Sequence, residues 1–183
     1  EDVVVEFGEH RVLNGVTLTI HAGEVVCMIG GSGSGKTTVL RTMLGLIAPL
    51  SGSIRVLGVE LAQADEDSRT RVARQMGMLF QHSALLGSLT AEENVALPLE
   101  QRGDLSPEMI RSLARTRLAQ VGLGDAVCNY PRELSGGMKQ RVGIARALVM
   151  ERPVLLLDEP FSALDVLTAE TLRREVLDLW LSA

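Results

Sequence analysis

The sequence predicts an α/β fold with a parallel sheet, and three stretches carry that prediction. A glycine-rich loop, GGSGSGKTT, follows an apolar strand-like run and opens a helical pattern. Far downstream, PVLLLDEP is a short apolar run ending in two carboxylates, the pattern of a central strand buried on both faces. Between them lies a long stretch of helical periodicity. Strands separated by helices give a parallel sheet that binds ligands at the carboxyl ends of its strands.

The elements follow in order. VVVEF and VTLTI branch or alternate as strands do, and GEVVCMIG, bounded by glycines, reads as a buried strand. In TTVLRTMLGLI, residues Val39, Leu40, Met43, Leu44 and Ile47 share one helical face, with Pro49 as the predicted stop. SGSIRVLG reads as turn and strand, and SRTRVARQ as a polar helix with its arginines on a solvated face. From LFQHSALLGSL onward the chain turns helical. The clearest helix takes Ser106 as cap and Pro107 in its first turn, runs through Ile110, Leu113, Ala114, Leu118 and Val121, and stops at Gly122. Residues 82–150 are therefore expected to form a helical insert, with 1–81 and 151–183 as the core of one domain.

Composition bounds the function. The chain has 183 residues, 46% hydrophobic and 22% charged, with a net charge of −5, so it is globular and carries no basic footprint for nucleic acid. No run of apolar residues is long enough to span a bilayer, and no signal-peptide pattern opens the chain, so a cytoplasmic location is expected. Cys27 and Cys128 lack metal-ligand spacing and are expected to be buried free thiols. The chain starts at Glu1 in strand-like sequence and stops at Ala183 in a helical pattern, as a piece of a longer protein would.

Gly30, Gly31, Ser32, Gly33, Ser34, Gly35, Lys36 and Thr37 fit G-x-x-x-x-G-K-[ST] at every required position, and Thr38 follows. Such glycines let successive backbone N–H groups point at the β- and γ-phosphates of a nucleotide, and the following helix adds its positive end. Lys36 then reaches the terminal phosphates, and the Thr37 hydroxyl is a ligand for Mg2+. Asp158 and Glu159 close the apolar strand, where Asp158 can hold Mg2+ through water and Glu159 can orient or deprotonate attacking water. GTP is disfavoured, because its N-K-x-D reader needs a lysine and the only two here are Lys36 and Lys139. ATP is expected by elimination. Gln81 marks the junction between the first sheet segment and the insert.

ELSGGMKQR poses a separate question, since it adds a second anion-holding pattern to a chain that already has one. Ser135 reads as a helix cap, with the N–H groups of Gly136 and Gly137 at the positive end of the helix behind it. Locally it is an anion site or simply a capped helix.

The order of phosphate loop, glutamine, LSGGMKQR and LLLDEPFSALD resembles the ATP-binding cassette (ABC) ATPases, the motor domains of ABC transporters, over essentially the whole chain. The resemblance implies a P-loop core, an antiparallel N-terminal β subdomain and an inserted helical subdomain. It implies that Phe7 stacks on adenine, that residues 30–38 hold ATP and Mg2+, and that Gln81 touches the metal or the attacking water and links to the membrane partner. It makes Ser135, Gly136 and Gly137 the signature, Asp158 and Glu159 the metal and base positions, and Asp165 part of a loop crossing between subunits. The family's further histidine would lie beyond Ala183, because His10, His21 and His82 stand upstream in other contexts.

The implied partners are transmembrane permease subunits, a second ATPase subunit in a head-to-tail dimer, and a substrate-binding protein. In that dimer each signature would close on the γ-phosphate held by the other chain's Lys36. MGMLFQHSALLGSLTAEENVALPLEQ resembles the ATPases of Mla-type lipid transporters, whereas PFSALDVLTAETLRREVLDLW looks like those of nitrate and sulfonate importers. A soluble cassette ATPase of translation or DNA repair, and a regulatory subunit that senses ATP without splitting it, stay open as alternatives.

Overall fold

Branched residues at alternate positions build the first element. β1 (Val3–Phe7) pairs antiparallel with β2 (His10–Val16), with Phe7 opposite His10. Val3, Val5 and Leu13 are buried against Val12, Val16, Val39, Ile47 and Ile54. The second strand is thus HRVLNGV, and the expected strand VTLTI contributes only Val16. The ladder ends there for a local reason: beyond the Val3–Val16 pair, the Asp2 N–H donates to the Thr17 hydroxyl at 2.9 Å rather than to backbone.

The computed structural model describes residues 1–81, 83–161 and 166–181, which divide into the units Glu1–Met76 and Gly77–Ala183. In the first unit, α1 (Lys36–Met43) stops well before Pro49. The Gly45 N–H donates to the Thr42 carbonyl at 3.0 Å and the Leu46 N–H to the Arg41 carbonyl at 2.9 Å. That pair closes the helix end once Gly45 turns to φ 72°, so the glycine stops the helix before the proline can. β3 (Arg55–Val56) and β4 (Val59–Glu60) form a short antiparallel hairpin, and α2 (Glu66–Ala73) is capped by Asp65.

GEVVCMIG corrects the prediction. Residues 24–30 lie in no strand, Val25, Val26 and Ile29 are exposed, and Cys27 is an exposed free thiol. An apolar run becomes a buried strand only where ladders accept its backbone groups, and the described ladders of this unit, β1–β2 and β3–β4, do not take it. Cys128 is likewise exposed, in the turn after the short 3-10 helix Gly124–Ala126.

β5 (Met76–Leu79), which belongs to the second unit from Gly77 on, neighbours β6 (Val154–Leu157), and it is a strand that periodicity does not mark. The two strands form the parallel sheet, and the Asp158 N–H donates to the Leu79 carbonyl at 3.0 Å, so they finish level. β6 is less enclosed than expected: Leu156 is buried while Val154, Leu155 and Leu157 are half-buried. Its described sheet has only one neighbouring strand.

Four helices complete this unit: α3 (Ala91–Glu100), α4 (Pro107–Gln120), α5 (Gly136–Leu148) and α6 (Val166–Leu181). Val95, Leu99, Leu118, Val142, Ile144 and Leu172 meet in their core. α4 begins as predicted, with the Ser106 hydroxyl accepting from the Met109 N–H at 3.3 Å, but Leu113 faces solvent. At its far end, Arg141 of α5 donates to the Val121 carbonyl at 2.9 Å, a cation at the negative end of α4. None of the described helices is long and apolar enough to cross a membrane.

The segment from β5 to α3 is pinned by one buried side chain. Asn94 Oδ1 accepts from the Leu86 N–H at 2.8 Å, and Nδ2 donates to the carbonyls of Leu86 at 3.1 Å, Leu89 at 3.1 Å and Thr90 at 2.9 Å. Asn94→Leu keeps the volume and orphans these backbone groups, so it is expected to cost about 1–3 kcal/mol. Urea unfolding should show a lower midpoint at unchanged slope; an unmoved midpoint would contradict the pinning role.

Thr90 and Glu93 form a capping box at the same helix start, and the hydrogen bonds from Thr90 backbone and side chain hold the Glu93 carboxyl below the usual glutamate range. A depressed pKa contributes stability above the unfolded value, and this is lost as pH falls through the folded one. Thr90→Ala should raise the Glu93 pKa toward the ordinary value in an NMR titration; no change would show that the box does not set it.

Candidate nucleotide and catalytic site

In the first unit the phosphate loop is built around a helix start. α1 begins at Gly35, whose φ of 92° and absent side chain let the loop press on β2. A Cβ at Gly35 would stand 2.8 Å from Leu13 Cδ2 and 3.3 Å from the Val12 carbonyl oxygen. No side chain caps this end of α1, which leaves its positive pole for another anion. Lys36 Nζ donates to the carbonyls of Gly30 at 2.8 Å and Gly31 at 2.9 Å, so the ammonium lies over the glycine-rich loop. Ser32, Gly33 and Ser34 form the exposed turn, with the Ser34 N–H on the Gly31 carbonyl at 3.3 Å, and Thr37 and Thr38 occupy the first turn of α1. Phe7 ends β1 with its residue surface 52% exposed, enough for a ring face to take a partner.

In the second unit, the level ends of β5 and β6 bring two predicted residues together. Gln81 Nε2 donates to Glu159 Oε2 at 2.9 Å. Asp158, one residue earlier, is buried at 3% exposure, whereas Glu159 is exposed. Glu159 sits at φ 47°, and Ser83 and Ala84, just after Gln81, at 60° and 44°. Left-handed non-glycine residues cost on the order of 1 kcal/mol each and persist where surrounding contacts over-determine them.

Those contacts come from α5. Gln140, 1% exposed, accepts from the Ser83 hydroxyl at 2.7 Å and donates to the Pro160 carbonyl at 2.8 Å. Arg146 donates to the carbonyls of Ser83 at 2.5 Å and Ala84 at 2.9 Å. Burial lowers the Arg146 pKa from the ordinary arginine value, and the guanidinium stays charged at neutral pH. Gly143, between them, lets α5 come close: a Cβ there would stand 2.6 Å from Leu79 Cδ1 and 3.1 Å from Ser83 Cβ.

At the start of α5, Ser135 accepts from the Met138 N–H at 3.2 Å, as a cap should. A Cβ placed on Gly136 would meet nothing within 4 Å, so the space before this helix end is open. Sequence reasoning missed Gln140, Arg146 and Ser83. Their partners lie 57, 20, 62 and 63 residues away, and the one local signal was the polar Gln140 in an otherwise apolar helical stripe. His82 and Asp165 lie outside the described residues.

The family model described as "ABC transporter" matches residues 13–162, which include the phosphate loop, Gln81, the signature and the strand-end carboxylates. The chain belongs to the ABC transporter family. This cassette is 46% identical over 179 residues to the methionine import ATP-binding protein of Brucella abortus, covering 98% of the chain and 48% of that protein. It is 42% identical over 174 residues to the bicarbonate transport ATP-binding protein of a Synechocystis species, covering 94% of the chain and 59% of that protein. The chain thus spans roughly half the length of these curated relatives. Among solved structures, it matches a dimeric ATP-binding cassette in a post-hydrolysis state, bound to ADP and phosphate, with TM-score 0.87 and 37% identity over 98% of this chain and 79% of that one. The fold is that of an ABC ATPase cassette, and ATP or ADP is the nucleotide class of the family.

The cassette's loop gives a direct prediction. Lys36→Ala removes a charged donor to phosphate, so ATP affinity of the intact protein should fall roughly 10- to 100-fold by calorimetry. Unaltered affinity would count against the loop as the phosphate cradle.

Proposed function

We propose that the protein is the ATP-binding and ATP-hydrolysing subunit of a membrane importer, acting as a head-to-tail pair docked on transmembrane permease subunits at the cytoplasmic face. The observation that carries this reading is the Gln81–Glu159 hydrogen bond of 2.9 Å at the level ends of two parallel strands. It supports a ligand site there, because the exposed Glu159 carboxylate stands just past two strand ends, as ligand-binding residues of α/β sheets do, and is held by the Gln81 amide.

The residues fit the nucleotide. The uncapped start of α1 and the Lys36 ammonium supply positive charge where phosphates would lie, and the Phe7 face suits adenine. Thr37 and Asp158 supply oxygen donors of the hard kind that Mg2+ takes, and when bound the ion neutralises charge on the phosphate oxygens. In hydrolysis, water attacks the γ-phosphorus while Glu159 takes its proton, Gln81 orients the water and carboxylate, and ADP departs with the β–γ bridging oxygen. Lys36 stabilises the charge that gathers on the transferring group.

Ser135, Gly136 and Gly137 complete the partner's site rather than their own, in a dimer that closes on two ATP molecules and opens after hydrolysis. The open space in front of Gly136 supports this, since nothing within the chain demands a glycine there. Relatives named for methionine import and bicarbonate transport support import of a small solute, with a substrate-binding protein as a further partner. They give no support to a lipid cargo, nor to a soluble role in translation or repair. A sensing subunit that does not split ATP is disfavoured because Glu159 and the signature are both present.

Glu159→Gln keeps the shape and the contact to Gln81 but removes the base. In the full-length protein with its membrane partner, steady-state turnover should fall at least roughly 100-fold while ATP binding survives and ATP-bound dimer accumulates. Turnover near the unmodified rate would sink the role given to Glu159.

A further inference from the structure

We infer that Gln140 is a positioning residue for hydrolysis: its side-chain amide ties the helix carrying the signature to both chain segments that present Gln81 and Glu159. The inference rests on the base role proposed for Glu159. Its own observations are the two hydrogen bonds of one buried amide, from the Ser83 hydroxyl at 2.7 Å and to the Pro160 carbonyl at 2.8 Å. Ser83 lies two residues after Gln81, and Pro160 directly follows Glu159. Gln140 therefore closes a ring through α5, the end of β5 and the end of β6, and the Gln81–Glu159 contact closes a second ring beside it.

Packing alone does not call for an amide at this position. Val142, Ile144 and Ala145 bury against the same core with apolar side chains, and a methionine would fill the Gln140 volume. An amide is needed because it can accept on one side and donate on the other, and here each half takes a different strand end. The segments it holds carry strained backbone. Among the described residues, six non-glycine residues have positive φ, and Ser83, Ala84 and Glu159 are three of them. Relaxing them would turn the Glu159 carboxylate and the Gln81 amide away from their shared geometry. Gly143 and Arg146 meet the same loop from about one and two helical turns further along α5.

A consequence follows for coupling. Ser135 caps the helix five residues before Gln140, so the state of the signature end and the placement of the base are read through one helix. A shift of α5 along its axis would move Ser83 and Pro160 with it.

The test uses the full-length protein with its membrane partner and Mg-ATP, comparing Gln140→Met, Ser83→Ala, the double variant and Glu159→Gln. Gln140→Met should lower kcat roughly 10- to 100-fold, the scale of a misplaced catalytic group, with ATP affinity and ATP-driven dimerisation within about twofold of the unmodified protein. Ser83→Ala should show the same split more mildly, and the double variant should be no slower than Gln140→Met alone. If Gln140→Met fails to fold, Ser83→Ala carries the test by the same split. Turnover unchanged in the folded variants, or kcat and ATP affinity falling together with thermal stability, would overturn the positioning role. Should Glu159→Gln itself retain turnover, the proposed function fails first. Should it be inactive while the Gln140 and Ser83 variants run normally, only the inference about Gln140 fails.

Discussion

The level finish of β5 and β6, fixed by the Asp158 N–H on the Leu79 carbonyl at 3.0 Å, is the constraint on which the Gln81–Glu159 contact depends. Gln81 lies two residues past one strand and Glu159 two residues past the other, so a slip of one residue in this pairing would part them. In a strand, a one-residue slip also sends side chains to the opposite face. The register is stabilised from outside the ladder, because α5 grips the segments beyond both strand ends. Its Gln140 amide bonds one segment on each side, and the Arg146 guanidinium satisfies two carbonyls that the turn leaves without ladder partners.

α5 concentrates several tasks by using its angular positions separately. Ser135 closes its own first turn, Arg141 reaches sideways to cap α4, and Gln140, Gly143 and Arg146 face the strand ends at spacings of three. Val142, Ile144, Ala145 and Leu148 fill the core between these polar posts. Spacings of three and four return to the same side of a helix, which is why these posts can address one loop. The octet LSGGMKQR is therefore in large part a structural device. Only its first residues lie at an open helix end; Gln140 and Arg141 are occupied within the chain.

The parts of the protein legible in the sequence are those whose chemistry is local. Residues 30–38 could be read because eight adjacent positions define the loop, and α4 because cap, proline and glycine lie within one element. The cassette family could be read from four such stretches in order. What escaped reading depended on partners elsewhere. GEVVCMIG has the composition of a buried strand, but the described ladders leave Val25, Val26 and Ile29 exposed, and no feature of the run itself says which strands accept it. β5 was missed because four residues with a central glycine show no period, although their burial comes from α5 and β6. Helix α1 ended at Gly45 instead of Pro49 because two hydrogen bonds closed it first, a competition between stop signals that spacing does not rank.

The contrast between the glycine-rich loop and the Gln81–Glu159 pair has a physical basis. Phosphate binding needs N–H groups and a cation at one point, which a single loop and the helix that follows it can supply; Lys36 even reaches back to its own loop carbonyls. Base catalysis needs a carboxylate at a set angle, and Glu159 at φ 47° does not hold that angle by its own preference. The angle has to be enforced by neighbours, here Gln81, Gln140 through Pro160, and the ladder bond at Asp158. Enforcement by three contacts from distant parts of the sequence makes the Glu159 carboxylate responsive to displacement of any of them. In the proposed function, the same contacts that hold the Glu159 carboxylate make its placement depend on the position of α5.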